Sequence, residues 1–343
     1  MSTSLYNIRY LIGALVLAIT AGCATSPASH NTLKAPQNQY QAQIVDPQPD
    51  TLNTLTVEQL ARRLTNADVV VVGEYHGHHA SHLLQAQLQL ALFQQQPQQI
   101  LSMEQFETNQ QDALNQYLAG SSGESEMIED TGAWDNYRAS YRPLVEFALS
   151  HQLPVIAANA PGDIVRCVGR EGPHIIDDLS QAQRQTIAQQ PFMDTPAYRQ
   201  RFDDAIGASH GGDGDNDDDA MKQRLDNSYK AQLLRDNTMA ERILQARRDY
   251  PGRQILHVNG NFHSEQHQGT VALLHKRAPE LNVAVISPVF WPENEAMPEL
   301  SEHRSKGDFL YFLQPLPDAY KNDDRRNRAM RERFSQAEQQ SCN

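Results

Sequence analysis

Two segments of the chain repeat one pattern: Gly73-x-x-His76 and Gly260-x-x-His263 each follow an apolar run directly. Glycine permits a tight exit or a close backbone approach, and a histidine three residues on can turn back over the end of the run. Glu74 lies inside the first motif, and Glu104 follows a third apolar run, Ile100-Leu101-Ser102-Met103. Two imidazoles with one or two carboxylates form a two-His, one-carboxylate set for a divalent metal, with positions left for water. In a hydrolase that metal activates the water, and a glutamate outside its coordination shell, Glu74 or Glu104, acts as base. The bland alternative is an inert hydrogen-bonded network. His76 also belongs to a tract with His78, His79 and His82. There His82 is expected to open a helix, while His78 and His79 are expected to be solvated.

The elements that carry these residues are legible. Val69-Val70-Val71-Val72 has no alternation, which is how a strand buried on both faces reads. Further apolar runs lie at 100–103, 154–158, 255–258, 283–286 and 309–313. Helical spacing fills 82–96 and 227–248, and is expected over 265–277; Thr56-Val57-Glu58-Gln59 is a capping box for a helix ending at Leu64. Strands alternating with helices predict an α/β fold, a parallel sheet flanked by helices. Ligands then bind beyond the carboxyl ends of the strands, where Glu74, His76, Glu104, Asn159 and His263 all fall. On the 227–248 helix Gln232, Asp236 and Met239 share one face. Asp236 either reaches the strand ends or lies exposed beside Arg235.

The expected organisation is a signal peptide over 1–22, a lipidated N-terminus and flexible tether over 23–53, and an α/β domain in three parts, 54–106, 151–177 and 227–320. Helical stretches at 107–150 and 178–226 interrupt it and form a smaller helical subdomain capping the sheet. A charged tail covers 321–343 as a surface helix or disordered chain. The acidic stretch Gly211 to Asp219 fails the calcium-loop pattern, because Asp218 stands where glycine is required and Arg224 where glutamate is required.

The formal net charge of -13 argues against sequence-independent nucleic-acid binding, which needs basic surface. The apolar run from Leu11 to Thr20 is too short to span a bilayer and ends in Ala21-Gly22-Cys23. Small residues before a cysteine resemble a bacterial lipobox, with Thr20 in place of the usual leucine. Lipidation of Cys23, followed by Ala24, implies an outer-membrane lipoprotein of a Gram-negative bacterium that touches the membrane only through its anchor. Cys167 and Cys342 either pair in an oxidising compartment or remain free thiols.

Gly73-Glu74-x-His76, His82-x-x-Gln85, Met103-Glu104, Trp134 with Tyr141-Arg142-Pro143, Asn159-x-Pro161, Ala231-Gln232 with Asp236-x-x-Met239-Ala240, and Gly260-x-x-His263 recur in order. Together they resemble the ChaN family of haem-binding, iron-regulated lipoproteins, within a wider superfamily with the TIKI and TraB proteins. The resemblance implies a homodimer holding two haems face to face, each ferric iron bound by a tyrosine, with a histidine of the partner subunit nearby. It also implies a role in haem and iron acquisition beside an outer-membrane haem receptor. Tyr137 and Tyr141 are the candidate ligands, and Arg142 is a partner for phenolate or propionate. The histidine is His210, His174 or one of the first tract. Haem binding without chemistry is the first reading and the metal-dependent hydrolase the second. No Gly-x-Ser-x-Gly elbow follows any of the apolar runs, and a dinucleotide fingerprint is absent from the sequence.

Overall fold

The computed structural model describes residues 33–48, 53–210, 219–293, 297–338 and 342. Cys23 and the signal segment lie outside the described residues, as does most of the acidic stretch, 211–218. Eight strands form one sheet: β1 (Gln43–Asp46), β2 (Asn53–Leu55), β3 (Val69–Glu74), β4 (Gln99–Glu107), β5 (Val155–Asn159), β6 (Gln254–Gly260), β7 (Val283–Phe290) and β8 (Phe309–Leu313). Their order is β2-β1-β8-β7-β3-β6-β4-β5. Strands β3 to β8 run parallel, and β1 and β2 add an antiparallel edge.

The helices are α1 (Val57–Arg63), α2 (His79–Gln95), α3 (Gln111–Leu118), α4 (Glu124–Thr131), α5 (Tyr137–Ser140), α6 (Arg142–Ser150), α7 (Gly162–Glu171), α8 (Gln181–Arg184), α9 (Pro196–His210), α10 (Asp219–Asp249), α11 (Thr270–Arg277) and α12 (Asp323–Glu338). The valines of β3 divide between the two faces as strand geometry requires. Val70 and Val72 join Leu101, Met103, Leu256 and Val258 under α1, α2 and α6. Val69 and Val71 join Ile100, Ile255 and Val285 under α10 and α11. Burial on both sides is the reason these strands are apolar without alternation.

Four expectations need correction. The tether is not free to residue 53: Leu33 is buried, and β1 pairs with β8. Short strands with mixed composition leave no periodic signal, so β1 and β2 were not legible. The helices at 107–150 pack directly onto the sheet core through Leu114, Met127, Leu144 and Val145 instead of forming a separate cap. Helix α10 begins at Asp219 and crosses the expected boundary at 226. The 265–277 helix breaks at Gly269, whose φ is +55°, so only Thr270–Arg277 is α-helical.

Two further features bear on stability. Cys167 and Cys342 are disulfide-bonded. The free edge of β5 is satisfied by one side chain, because Gln111 donates to Val155 O at 2.9 Å and accepts from Ala157 N at 2.8 Å.

Candidate functional site

The chain passes from β3 to β4 and β5, then returns to insert β6 between β3 and β4 before crossing to β7. That reversal puts a crevice at the carboxyl ends of β3, β6 and β4. The two Gly-x-x-His motifs meet there, since Gly73 lies opposite Asn259 and Glu74 opposite Gly260. The motifs also interlock. A Cβ on Gly73 would stand 2.8 Å from Asn261 Oδ1, and a Cβ on Gly260 2.8 Å from His76 Nε2. Each glycine is therefore needed by the residues of the other motif.

Glu74 continues the Val70 and Val72 face of β3, whereas Glu104 lies on the opposite face of the sheet from Leu101 and Met103. Two networks result. In the first, Glu74 is buried and accepts from Tyr141 Oη at 2.6 Å, His76 Nδ1 at 2.8 Å, Gln85 Nε2 at 2.6 Å and Gln105 Nε2 at 3.4 Å. Gly77 N donates to His82 Nε2 at 3.1 Å, so the proton of His82 sits on Nδ1, facing Gln85 Oε1 at 3.2 Å. Burial pushes the His82 pKa down, which keeps that ring neutral.

In the second network, Glu104 accepts from Gly260 N at 2.5 Å and lies 3.4 Å from His263 Nε2. His263 Nδ1 donates to Asp236 Oδ1 at 2.8 Å; Tyr198 Oη and Thr270 Oγ1 also donate to Asp236, at 2.7 and 2.9 Å. Burial opposes a charge on His263, but Glu104 and Asp236 outweigh it and raise its pKa to about 10. Burial likewise opposes ionisation of Glu104, yet His263, His76 and the Gly260 N–H hold it well below the usual carboxylate range. His263 is a buried imidazolium between two carboxylates. His76 stands between the networks, and although burial disfavours its charge, the bond to Glu74 and the field of Glu104 raise its pKa.

A cleft of about 490 Å³ opens over this floor, lined by Tyr75, His76, Arg201, Phe262, His263 and Lys306, among others. Arg201 and Lys306 both pair with Glu265, at 2.7 and 3.1 Å. Trp134 meets the His76 ring edge-on at 5.1 Å.

The structure thus brings Glu74, His76, Glu104 and His263 to one rim, and Asp236 joins them. It does not arrange them as a metal centre: among the described residues no group of three or more His, Cys, Asp or Glu is placed to hold a metal ion. The carboxylates lie on opposite faces and are consumed by separate hydrogen bonds. Both candidate tyrosines lie inside the core: Tyr141 is 0% and Tyr137 2% exposed. Burial first, then Glu74, drives the Tyr141 pKa far up; burial and Tyr117 do the same for Tyr137. Neither ionises near neutral pH. Arg142 is turned away onto Glu124, with Nη2 at 2.9 Å. His174 is exposed on the 3-10 turn Pro173–Asp178, and the side chain of His210 lies outside the described residues. His78 is not solvated but buried: its Nδ1 caps α2 by accepting from Ala80 N, and its Nε2 lies 2.9 Å from Gln314 O. Gln105, Tyr198, Thr270 and Arg201 were missed, because each reaches the site from an element whose docking no local pattern reveals.

The sequence profile described as haem-binding uptake, Tiki superfamily, ChaN matches residues 60–274. Among solved structures, ChaN of Campylobacter jejuni, described for cofacial haem binding, superposes with a TM-score of 0.59 at 15% identity, over 80% of this chain and 97% of that one. An erythromycin esterase in its open conformation superposes with a TM-score of 0.43 at 14% identity, over 84% and 86% of the two chains, too distant to bear on mechanism. A search of curated proteins found no match. With the profile covering well over half its length and the sheet matching, the chain belongs to the ChaN haem-binding uptake family of the Tiki superfamily.

Proposed function

We propose that the protein binds haem at the cleft where β3 and β6 end, and that it serves haem and iron acquisition. One observation carries this reading: in a chain of a haem-binding uptake family, the strand-end cleft has an exposed imidazole on its floor and aromatic walls. The residues fit the group. Tyr75, stacked on Phe290 at 4.1 Å, offers an apolar face to a macrocycle beside Phe262, whose ring carries the Arg201 guanidinium at 4.4 Å. Arg201 and Lys306 bring two cations to the rim against the single carboxylate of Glu265, which leaves a net positive charge there for propionates. Bound haem would supply an iron centre. The chain's own part is to orient a donor, wall off the macrocycle and balance its carboxylates.

Lipidation at Cys23 would hold the protein on the outer membrane beside a haem receptor, and the lipobox-like Ala21-Gly22-Cys23 supports that placement. The cofacial haem of the Campylobacter jejuni relative supports a homodimer here, with two haems between two copies. Titration of the mature protein with ferric haem is expected to shift the Soret band with saturation at one haem per chain, and sedimentation is expected to show dimer in the haem-loaded protein. Spectra identical to free haem would refute the reading.

A second reading, hydrolysis, is favoured by the two His–carboxylate pairs at one cleft. His76, held by Glu74, is placed as a general base for water. Ester and peptide panels, with and without added divalent metal, test it; turnover that disappears in His76→Ala supports it, and absence of turnover in every condition ends it.

A further inference from the structure

We propose that the exposed face of α2 is an interface between two copies of this chain, paired antiparallel about a two-fold axis at Ala86 and Gln87. The proposal does not rest on the haem reading. Helix α2 buries Ala80, Leu84, Leu88, Ala91 and Leu92 against the sheet, with α1 and α6 on its flanks. Its outer face should then be polar. It is not: Leu83 is 39% and Leu90 44% exposed, and Ala86 and Phe93 beside them are only half-buried. Gln87 and Gln94 complete that face. Tyr40, 62% exposed, stacks on His79 at 5.2 Å and extends the surface at the helix start. The face is also uncharged. Between Glu74 and Glu104 the chain has no Asp, Glu, Lys or Arg, the longest such stretch in the sequence.

The spacing fits a second copy. His79, Leu83, Ala86, Leu90 and Phe93 follow one another by four, three, four and three residues, the repeat by which two helices interlock. In an antiparallel pair centred between Ala86 and Gln87, Leu83 of each copy meets Leu90 of the other, and His79 meets Gln94. The small Ala86 leaves a hole for an opposing side chain, and the two Gln87 amides can bond each other across the axis. Such a contact sets a surface against its own image, so a net-acidic surface is repelled. A chain of net charge -13 therefore pairs most readily through a face that carries none. A lipid surface fits less well, because helices that lie on bilayers carry Lys or Arg beside the apolar stripe. Among the described residues, none that lines the strand-end cleft belongs to α2. The contact is thus separate from haem-mediated pairing and leaves both clefts free. A helix of 17 residues, about 26 Å long, offers less than a standard interface, so the expected dissociation constant is on the order of 10–100 µM.

The test uses the haem-free mature chain with Cys23→Ser, so that no lipid is attached and, with Cys167 and Cys342 bonded, no thiol is free. Sedimentation is expected to show dimer at ~100 µM and monomer at ~1 µM, so that haem-driven pairing is read by itself at the lower concentration. Leu83→Glu and Leu90→Glu each enter the contact twice and are expected to raise the dissociation constant at least about a hundredfold. Leu316→Glu, at a leucine 43% exposed elsewhere on the chain, is expected to leave it unchanged. Under mild oxidation Gln87→Cys is expected to give a covalent dimer, and His79→Cys mixed with Gln94→Cys a covalent pair that neither gives alone. Protein that stays monomeric at ~100 µM overturns the proposal, as does a dimer unaffected by Leu90→Glu. Self-linking of Gln94→Cys overturns the antiparallel arrangement. Monomer captured by phosphatidylcholine vesicles, with capture lost in Leu83→Glu, overturns it in favour of a lipid surface. None of these outcomes bears on haem binding, which the Soret titration reads separately.

Discussion

Replacing Asp236 with asparagine tests the buried charge triad directly. The side chain keeps its size, and Oδ1 can still accept from Thr270 and His263. What disappears is one of two negative charges around a fully buried imidazolium, together with the Oδ2 acceptor of the Tyr198 hydroxyl. Glu104 and Asp236 together raise the His263 pKa from 6.5 to about 10. At about 1.4 kcal/mol per pH unit that shift, net of the opposing cost of burial, is on the order of 5 kcal/mol. Asp236, at 2.8 Å against 3.4 Å for Glu104, accounts for about half, or roughly 2–3 kcal/mol. The sign follows from linkage. A raised histidine pKa stabilises fully below the unfolded value near 6.5, and the contribution fades as pH rises through the folded value near 10. Wild type should therefore lose stability between about pH 6.5 and 10. In Asp236→Asn the same loss should be smaller and complete at lower pH. Urea denaturation of both proteins at about pH 6 and about pH 9 isolates the difference, because groups common to the two cancel. A variant within about 0.5 kcal/mol of wild type at the lower pH, with an unchanged decline to the higher, would refute the charge-triad account.

Two further outcomes are expected. Gln111→Ala leaves Val155 O and Ala157 N on an open edge without their partner, so it should cost about 1–3 kcal/mol, whereas Gln111→Glu, which keeps an acceptor for Ala157 N, should cost less; equal denaturation midpoints for wild type and Gln111→Ala would count against the edge-capping role. The Cys167–Cys342 bond closes a separation of 175 residues, for which chain entropy gives an upper bound of about 5 kcal/mol; reduction, or the double alanine variant, should lower the unfolding temperature, and identical melting with and without reductant would remove the disulfide from the stability account.

The six parallel strands were legible because their composition answers to burial on both faces, as the Val69 to Val72 run shows. The capping box at Thr56 was legible for a similar reason: its hydrogen bonds join residues three apart, and both form. Local chemistry also misled. His78 and His82 belong to one short polar tract, yet the first caps a helix beneath a loop carbonyl and the second orients Gln85. Tyr137 and Tyr141 look available in sequence because tyrosine suits either a surface or a core. Only the packing of α5 and α6 against the sheet commits them to the interior.

The sequence by itself determined that polar residues would gather where strands end, since periodicity and glycine placement are short-range properties written in consecutive residues. It also determined that two Gly-x-x-His segments would share that edge. Only the tertiary structure decided that Glu74 and Glu104 face opposite sides of the sheet, that Asp236 reaches His263 from a helix rather than lying in solvent, and that the phenols are buried while His76 is open. Those outcomes depend on strand order and helix docking. Both are set by the summed burial of many distant residues, and no window of sequence holds that sum.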